Sequence, residues 1–161
     1  MKKKILTKPF GHISIGDKHY VVDVAMDDEA RYKGLSKRHK LDDGYGMLFD
    51  MPKEDHHAFQ MKDTYVPLDM VFIGKYGQIV DYLPNVQPLT SGPYKPKEKC
   101  KFVLEVPGND LKDPQTNARV MADILNGSGL SAWGAYNDRR YLQYMSEARR
   151  AYAQLKRSGG L

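Results

Sequence analysis

The chain has 161 residues, 41% of them hydrophobic and 28% charged, with a formal net charge of +5. That balance excludes an intrinsically disordered chain and fits one compact domain with or without an appendage. No run approaches the roughly eighteen apolar residues a membrane span needs, and the single cysteine, Cys100, excludes an internal disulfide and fits a reducing compartment.

Residues 1–11 read as a basic leader. Lys2, Lys3, Lys4 and Lys8 crowd it, but no apolar stretch follows, so it is not a signal peptide. His12–Ile15 and His19–Ala25 have strand character and flank Gly16-Asp17-Lys18, a short hairpin turn. Asp27–Gly34 reads as a short helix: Asp27 or Asp28 caps its start, acids fill its first turn, and Gly34 ends it. Leu35 and Leu41 are expected in the core beneath it. Asp42–Gly46 is a turn leading into the apolar strand at Met47-Leu48-Phe49, and residues 52–57 (Pro-Lys-Glu-Asp-His-His) read as a surface loop.

Leu68–Ile73 and Gln78–Tyr82 are two strand patterns separated by Gly74-Lys75-Tyr76-Gly77, which predicts a β-hairpin. Pro84–Lys99 holds four prolines and no apolar period, so it reads as a long loop of the kind that often carries function. Phe102–Val106 returns as a strand, broken by Pro107-Gly108-Asn109-Asp110. The expected fold is α+β: a compact, mostly antiparallel, barrel-like β domain over residues 12–109 with one or two short helices, then a helical extension over 110–161.

Four blocks occur in order: Gly46-Met47-Leu48-Phe49, Phe59-Gln60-Met61-Lys62-Asp63-Thr64, Pro67-Leu68-Asp69-Met70-Val71-Phe72-Ile73 and Gly77-Gln78-Ile79-Val80. Together they resemble the core of the family catalogued as domain of unknown function 192, and the likeness spans roughly residues 12–109. Because that family has no settled activity, the resemblance implies a fold and little chemistry. Its pattern carries a tryptophan where this chain has Gln60.

Beyond Asn109 the pattern changes. Ala118, Val120, Met121, Ile124 and Leu125 recur at three-to-four spacing and predict a helix ending at Asn126-Gly127. Tyr141, Leu142, Met145, Ala148, Tyr152 and Leu155 predict a second. The segment holding Gly127, Gly129, Ser131, Ala132, Trp133, Ala135, Tyr136, Asn137, Tyr141 and Tyr144 is similar to the C-terminal end of lysozyme-like transglycosylase domains of phage virion proteins. That family's catalytic glutamate lies on an early helix, which nothing here supplies, and glycoside hydrolysis lacks its proton donor without it.

Two functional expectations follow. In the first, the chain is a non-catalytic structural or adaptor protein, a bacteriophage virion component assembled in the host cytoplasm. Trp133, Tyr136, Arg139, Arg140, Tyr141, Tyr144 and Arg149 then contact other protein subunits, since aromatic and Arg residues are the usual interface anchors. The basic termini offer contact with nucleic acid, or simply solubility. In the alternative, a small-ligand-binding or enzymatic domain uses the polar cluster Lys62, Asp63, Thr64 and Asp69. A Lys62–Asp69 pair would polarise a ligand or tie a loop to the sheet. This alternative predicts a concave pocket at residues 52–64 with a perturbed carboxylate or lysine. No cofactor and no membrane contact are expected. Glu54-Asp55-His56-His57 has metal-ligand residue types but lacks the spacing of a zinc site, and adjacent histidines on a strand point to opposite faces.

Overall fold

A computed structural model describes residues 9–112, 120–126 and 129–133, together with Arg150 and Arg157. Its elements are β1 (Phe10–Ile15), β2 (Lys18–Ala25), α1 (Asp28–Lys33), β3 (Tyr45–Asp55), β4 (Leu68–Ile73), β5 (Ile79–Val86), β6 (Cys100–Pro107), β7 (Met121–Asn126) and β8 (Gly129–Trp133). They form one eight-stranded sheet in the order β5-β4-β6-β3-β2-β1-β7-β8. All neighbours are antiparallel except β2 and β3, which run parallel from Val21↔Tyr45 to Ala25↔Phe49.

The predicted hairpins form. Gly16 takes φ +58 in the β1–β2 turn, and Gly77 takes φ +82 in the β4–β5 turn. The helix forms too: the Asp27 carboxylate accepts the Ala30 N–H at 2.8 Å, and Gly34 ends the helix by donating its N–H to the Ala30 carbonyl. Arg31 ties α1 down, donating to the Asp50 carbonyl at 2.8 Å, the Met26 carbonyl at 2.7 Å and the Asp28 carboxylate at 2.9 Å.

Three expectations are corrected. The sheet is not a closed barrel, because β5 and β8 stand at the two ends of the strand order. It does curl, and the backbone of Val120, just before β7, donates to the Gly77 carbonyl at 2.7 Å. Residues 52–55 are not loop; they extend β3 to Asp55, with a shift in register against β6 between Asp50 and Asp55. The helix predicted from Val120, Met121, Ile124 and Leu125 is β7, paired with β1 from Phe10↔Leu125 to Ser14↔Met121. A short apolar run suits either state, and here the unpaired backbone edge of β1 decides for the strand. Gly127-Ser128 between two such runs is also a hairpin composition, and β8 returns antiparallel to β7. Trp133 ends β8, whereas Tyr136, Arg139, Arg140, Tyr141, Tyr144 and Arg149, the predicted second helix and the leader through Lys8 lie outside the described residues.

Side chains alternate between two cores, as a pleated sheet buried on both faces requires. Inside the curl lie Ile13, Ile15, Tyr20, Val22, Leu48, Val71, Ile73, Leu104, Val106 and Leu111. On the outer face lie Leu35, Met47, Phe49, Met61, Leu68, Met70, Phe72 and Val103, covered by α1 and the segments after β3 and β5. Gly46 lets β3 and β6 approach, since a Cβ there would stand 2.6 Å from the Glu105 carbonyl oxygen and 2.9 Å from Val106.

Asp69 sits on the inner face of β4 and is fully buried. Its Oδ1 accepts backbone N–H bonds from Asn85 at 2.7 Å and Asn109 at 2.9 Å, and its Oδ2 accepts from Leu111 at 2.9 Å. Tyr20 and Tyr82 pin the same segment: Tyr20 donates to the Asp110 carboxylate and Tyr82 to the Leu111 carbonyl, each at 2.5 Å. A buried carboxylate is tolerated only when satisfied in this way.

Candidate functional site

A groove of about 770 Å³ opens on the outer face. One wall is α1 and the segment after it, from Glu29 to Lys37. The other is Ala58–Gln60 and Lys62–Thr64, and Phe49, Met51 and Glu105 line it from the sheet. The walls are braced. Phe59 meets Phe49 edge-on at 5.0 Å and Phe72 at 6.3 Å, and its backbone exchanges two 2.8 Å hydrogen bonds with Tyr94. Gly34 packs directly on the Phe49 ring, with room for a Cβ only at 3.3 Å and at φ +47. The two walls are joined where the Lys37 N–H donates to the Asp63 carbonyl at 2.6 Å. Both residues hold positive φ, +65 and +54, a conformation that non-glycine residues adopt at an energetic cost and that clusters at functional sites.

Of the predicted cluster, Lys62, Asp63 and Thr64 line this groove. Thr64 is buried and donates to the Lys62 carbonyl at 3.3 Å, while Lys62 and Asp63 are exposed. Asp69 does not join them. It faces the opposite side of the sheet, so the predicted Lys62–Asp69 pair does not form, and its carboxylate is given over to backbone donors. Gln60, standing where the family pattern has tryptophan, lines the groove and is exposed.

The buried carboxyl that lines the groove is Glu105, which the sequence reading passed over. It lies in β6, opposite Met47 on β3 and Met70 on β4, and is 4% exposed. No hydrogen bond or ion pair reaches its carboxyl among the described residues. Burial alone pushes its pKa up to about 8, so it is protonated at neutral pH. At the mouth, Lys33, Lys37 and Lys62 form no ion pair among the described residues, whereas Arg31 is occupied by Asp28 and two carbonyls. Tyr32 stands at the rim 86% exposed.

The other reactive side chains are spoken for. His56 and His57 each face a backbone carbonyl through a ring nitrogen, Pro96 at 3.2 Å and Lys53 at 2.7 Å. Among the described residues no group of three His, Cys, Asp or Glu gathers as a metal site. Cys100 is buried, and desolvation raises its thiol pKa to about 11 despite Lys99 and Lys101 on either side. It is therefore expected to stay unmodified by Ellman's reagent in the native protein and to react fully in urea. Rapid native labelling would contradict the burial described.

No curated protein matches the chain. Two solved structures do. One is a proposed transcription regulator from Sinorhizobium meliloti 1021, 28% identical, with a TM-score of 0.65, covering 71% of this chain and 93% of its own. The other is a protein of unknown function from Novosphingobium aromaticivorans DSM 12444, 23% identical, with a TM-score of 0.64, covering 74% of this chain and 89% of its own, and the likeness there is one of fold. The pattern carried by the Gly46, Phe59, Pro67 and Gly77 blocks is matched as a family over residues 12–118, well over half of the sequence. The chain belongs to that family, DUF192, described as uncharacterized ACR.

Proposed function

We propose that this domain binds a small molecule in the groove between α1 and residues 58–64. The observation that carries the reading is Glu105, a buried carboxyl that lines the groove without a partner among the described residues. A polar group taken out of water without compensation costs on the order of 1–3 kcal/mol. Chains seldom keep such a cost away from a site that uses it. The groove volume lies within the range of small-ligand pockets, and Phe49 and Phe59 give it an aromatic wall beneath a charged rim.

The virion-adaptor reading rests on the tail. Except for Trp133, its contact residues lie outside the described residues, so the groove and not the tail supports the proposal.

The test is a fragment screen on full-length, isotope-labelled protein, followed by amide chemical shifts. Hits are expected to move Gly34, Lys37, Phe59, Lys62 and Glu105 together and to leave Asn85, Asn109 and Leu111 still. A broad library that leaves the groove amides unmoved would overturn the reading.

A further inference from the structure

Resting on that reading, we infer the chemical class of the occupant: an amphipathic organic anion, with its charged head at the lysine rim, its apolar body against the aromatic wall, and a neutral hydrogen-bond acceptor at its buried end facing Glu105. Three independent observations meet in one groove.

The first is charge. Lys33, Lys37 and Lys62 line the mouth and are not neutralised by ion pairs among the described residues. The acidic groups there, Glu29 and Asp63, are fewer than the lysines. An anionic head meets net positive charge and up to three ammonium donors, and charge-assisted hydrogen bonds are the stronger kind. Lysines on two facing walls also set the head at the mouth rather than the floor.

The second is the wall. Phe49 and Phe59 meet edge-to-face at 5.0 Å, and Tyr32 stands exposed at the rim. A flat or short-chain apolar body buries itself against these rings, and a fully hydrated anion such as inorganic phosphate does not use them.

The third is Glu105. Being protonated at neutral pH, its carboxyl offers one O–H donor, which a carbonyl, ether or hydroxyl oxygen accepts. Because nothing in the described chain takes that proton, a ligand lacking the acceptor leaves the donor unpaired and binds more weakly.

Three probes separate these contributions: 4-acetylbenzoate, which has both the anionic head and the acceptor, 4-acetylbenzamide, which lacks the charge, and 4-isopropylbenzoate, which lacks the acceptor. Each is titrated into the full-length protein and followed by the groove amides. The first is expected to bind at least about tenfold more tightly than either of the others, since one charge-assisted or buried hydrogen bond is worth that ratio. In the Lys33→Gln, Lys37→Gln, Lys62→Gln triple variant the benzoate–benzamide difference should vanish while the acetyl–isopropyl difference stays. Glu105→Leu should do the reverse, and Glu105→Gln, which keeps a donor, should retain the acetyl preference.

Equal binding of all three probes overturns the inference and leaves the ligand-binding reading standing. Binding of the benzamide in preference to both benzoates overturns the anionic assignment in the same way. No binding by any probe, although the fragment screen finds groove ligands, also removes this ligand class alone, whereas a blank screen removes both readings.

Discussion

Asp69→Ala is expected to cost on the order of 5 kcal/mol, measured as a shift in the urea midpoint at unchanged slope. The substitution strands three backbone N–H groups, those of Asn85, Asn109 and Leu111, around a fully buried site. Each unsatisfied donor costs about 1–3 kcal/mol, and domains of this size carry only about 5–15 in total. The variant should therefore sit near the edge of folding. Asp69→Asn keeps the volume and one acceptor oxygen. If that oxygen serves Asn85 and Asn109, the new amide N–H₂ confronts the Leu111 N–H, so roughly half the loss should remain. A loss under about 1 kcal/mol for the alanine variant would show that solvent or a rearranged segment satisfies the donors, and that Asp69 does not organise this end of the sheet.

Glu105→Gln is expected to do the opposite. The folded carboxyl titrates near 8 because of its burial, against an ordinary value of 4.5. Between those values the folded state holds a proton that the unfolded state has released, so wild-type stability falls as pH rises through this window and levels off above it. Glutamine carries no such dependence and shares the same unpartnered environment. At about 1.4 kcal/mol per pH unit, its advantage should be near zero at pH 4.5, roughly 3 kcal/mol at pH 7, and up to about 5 above pH 8. The surrounding groups do not reverse this sign. Met47 and Met70, paired with Glu105 across the sheet, are uncharged. The charged and titratable groups around the groove, Glu29, Arg31, Tyr32, Lys33, Lys37, Lys62 and Asp63, are shared by both proteins. Denaturant titrations of the pair at pH 5, 7 and 9 check it. A difference that does not grow with pH would mean the carboxyl is solvated or paired. A replacement that stabilises the fold is the behaviour expected of a residue kept for binding rather than for stability.

Much of the frame could be read locally. Gly16 and the Gly74–Gly77 turn punctuate alternating runs, and Asp27 and Gly34 bracket a helix, so turn chemistry alone placed these elements. What failed was non-local. Residues 121–126 have an apolar spacing that a helix would satisfy, and they pair instead with the edge of β1, more than a hundred residues earlier, and with β8. Residues 52–55, Pro-Lys-Glu-Asp, look like loop because they are polar and carry a proline, yet they extend β3 alongside β6 across a shift in register.

The site was half legible. Lys62, Asp63 and Thr64 do lie together along the groove, but Asp69, grouped with them from the sequence, lies on the other face of the sheet, and the buried carboxyl lining the groove is Glu105. Asp69 in Leu68–Ile73 and Glu105 in Phe102–Val106 are single acids inside short apolar runs, which signals a buried charge in either case. Which of them is satisfied depends on where Asn85, Asn109 and Leu111 come to rest, and no local pattern encodes that. The signal that could have singled out Glu105 is parity. It falls in step with Val103 on β6, and so on the face that α1 and the 58–64 segment cover.

The parallel pairing of β2 with β3 has a bearing on how such chains diversify. Parallel neighbours cannot be joined by a tight turn, so residues 26–44 must leave the sheet and come back. That detour carries α1, none of whose residues is buried, and one whole side of the groove. Its length and side chains can drift while every strand register stays as it is, with Arg31 and Leu35 as its moorings. The frame and this wall are thus separable modules, and a chain with the same sheet is free to differ in the shape and charge of the groove.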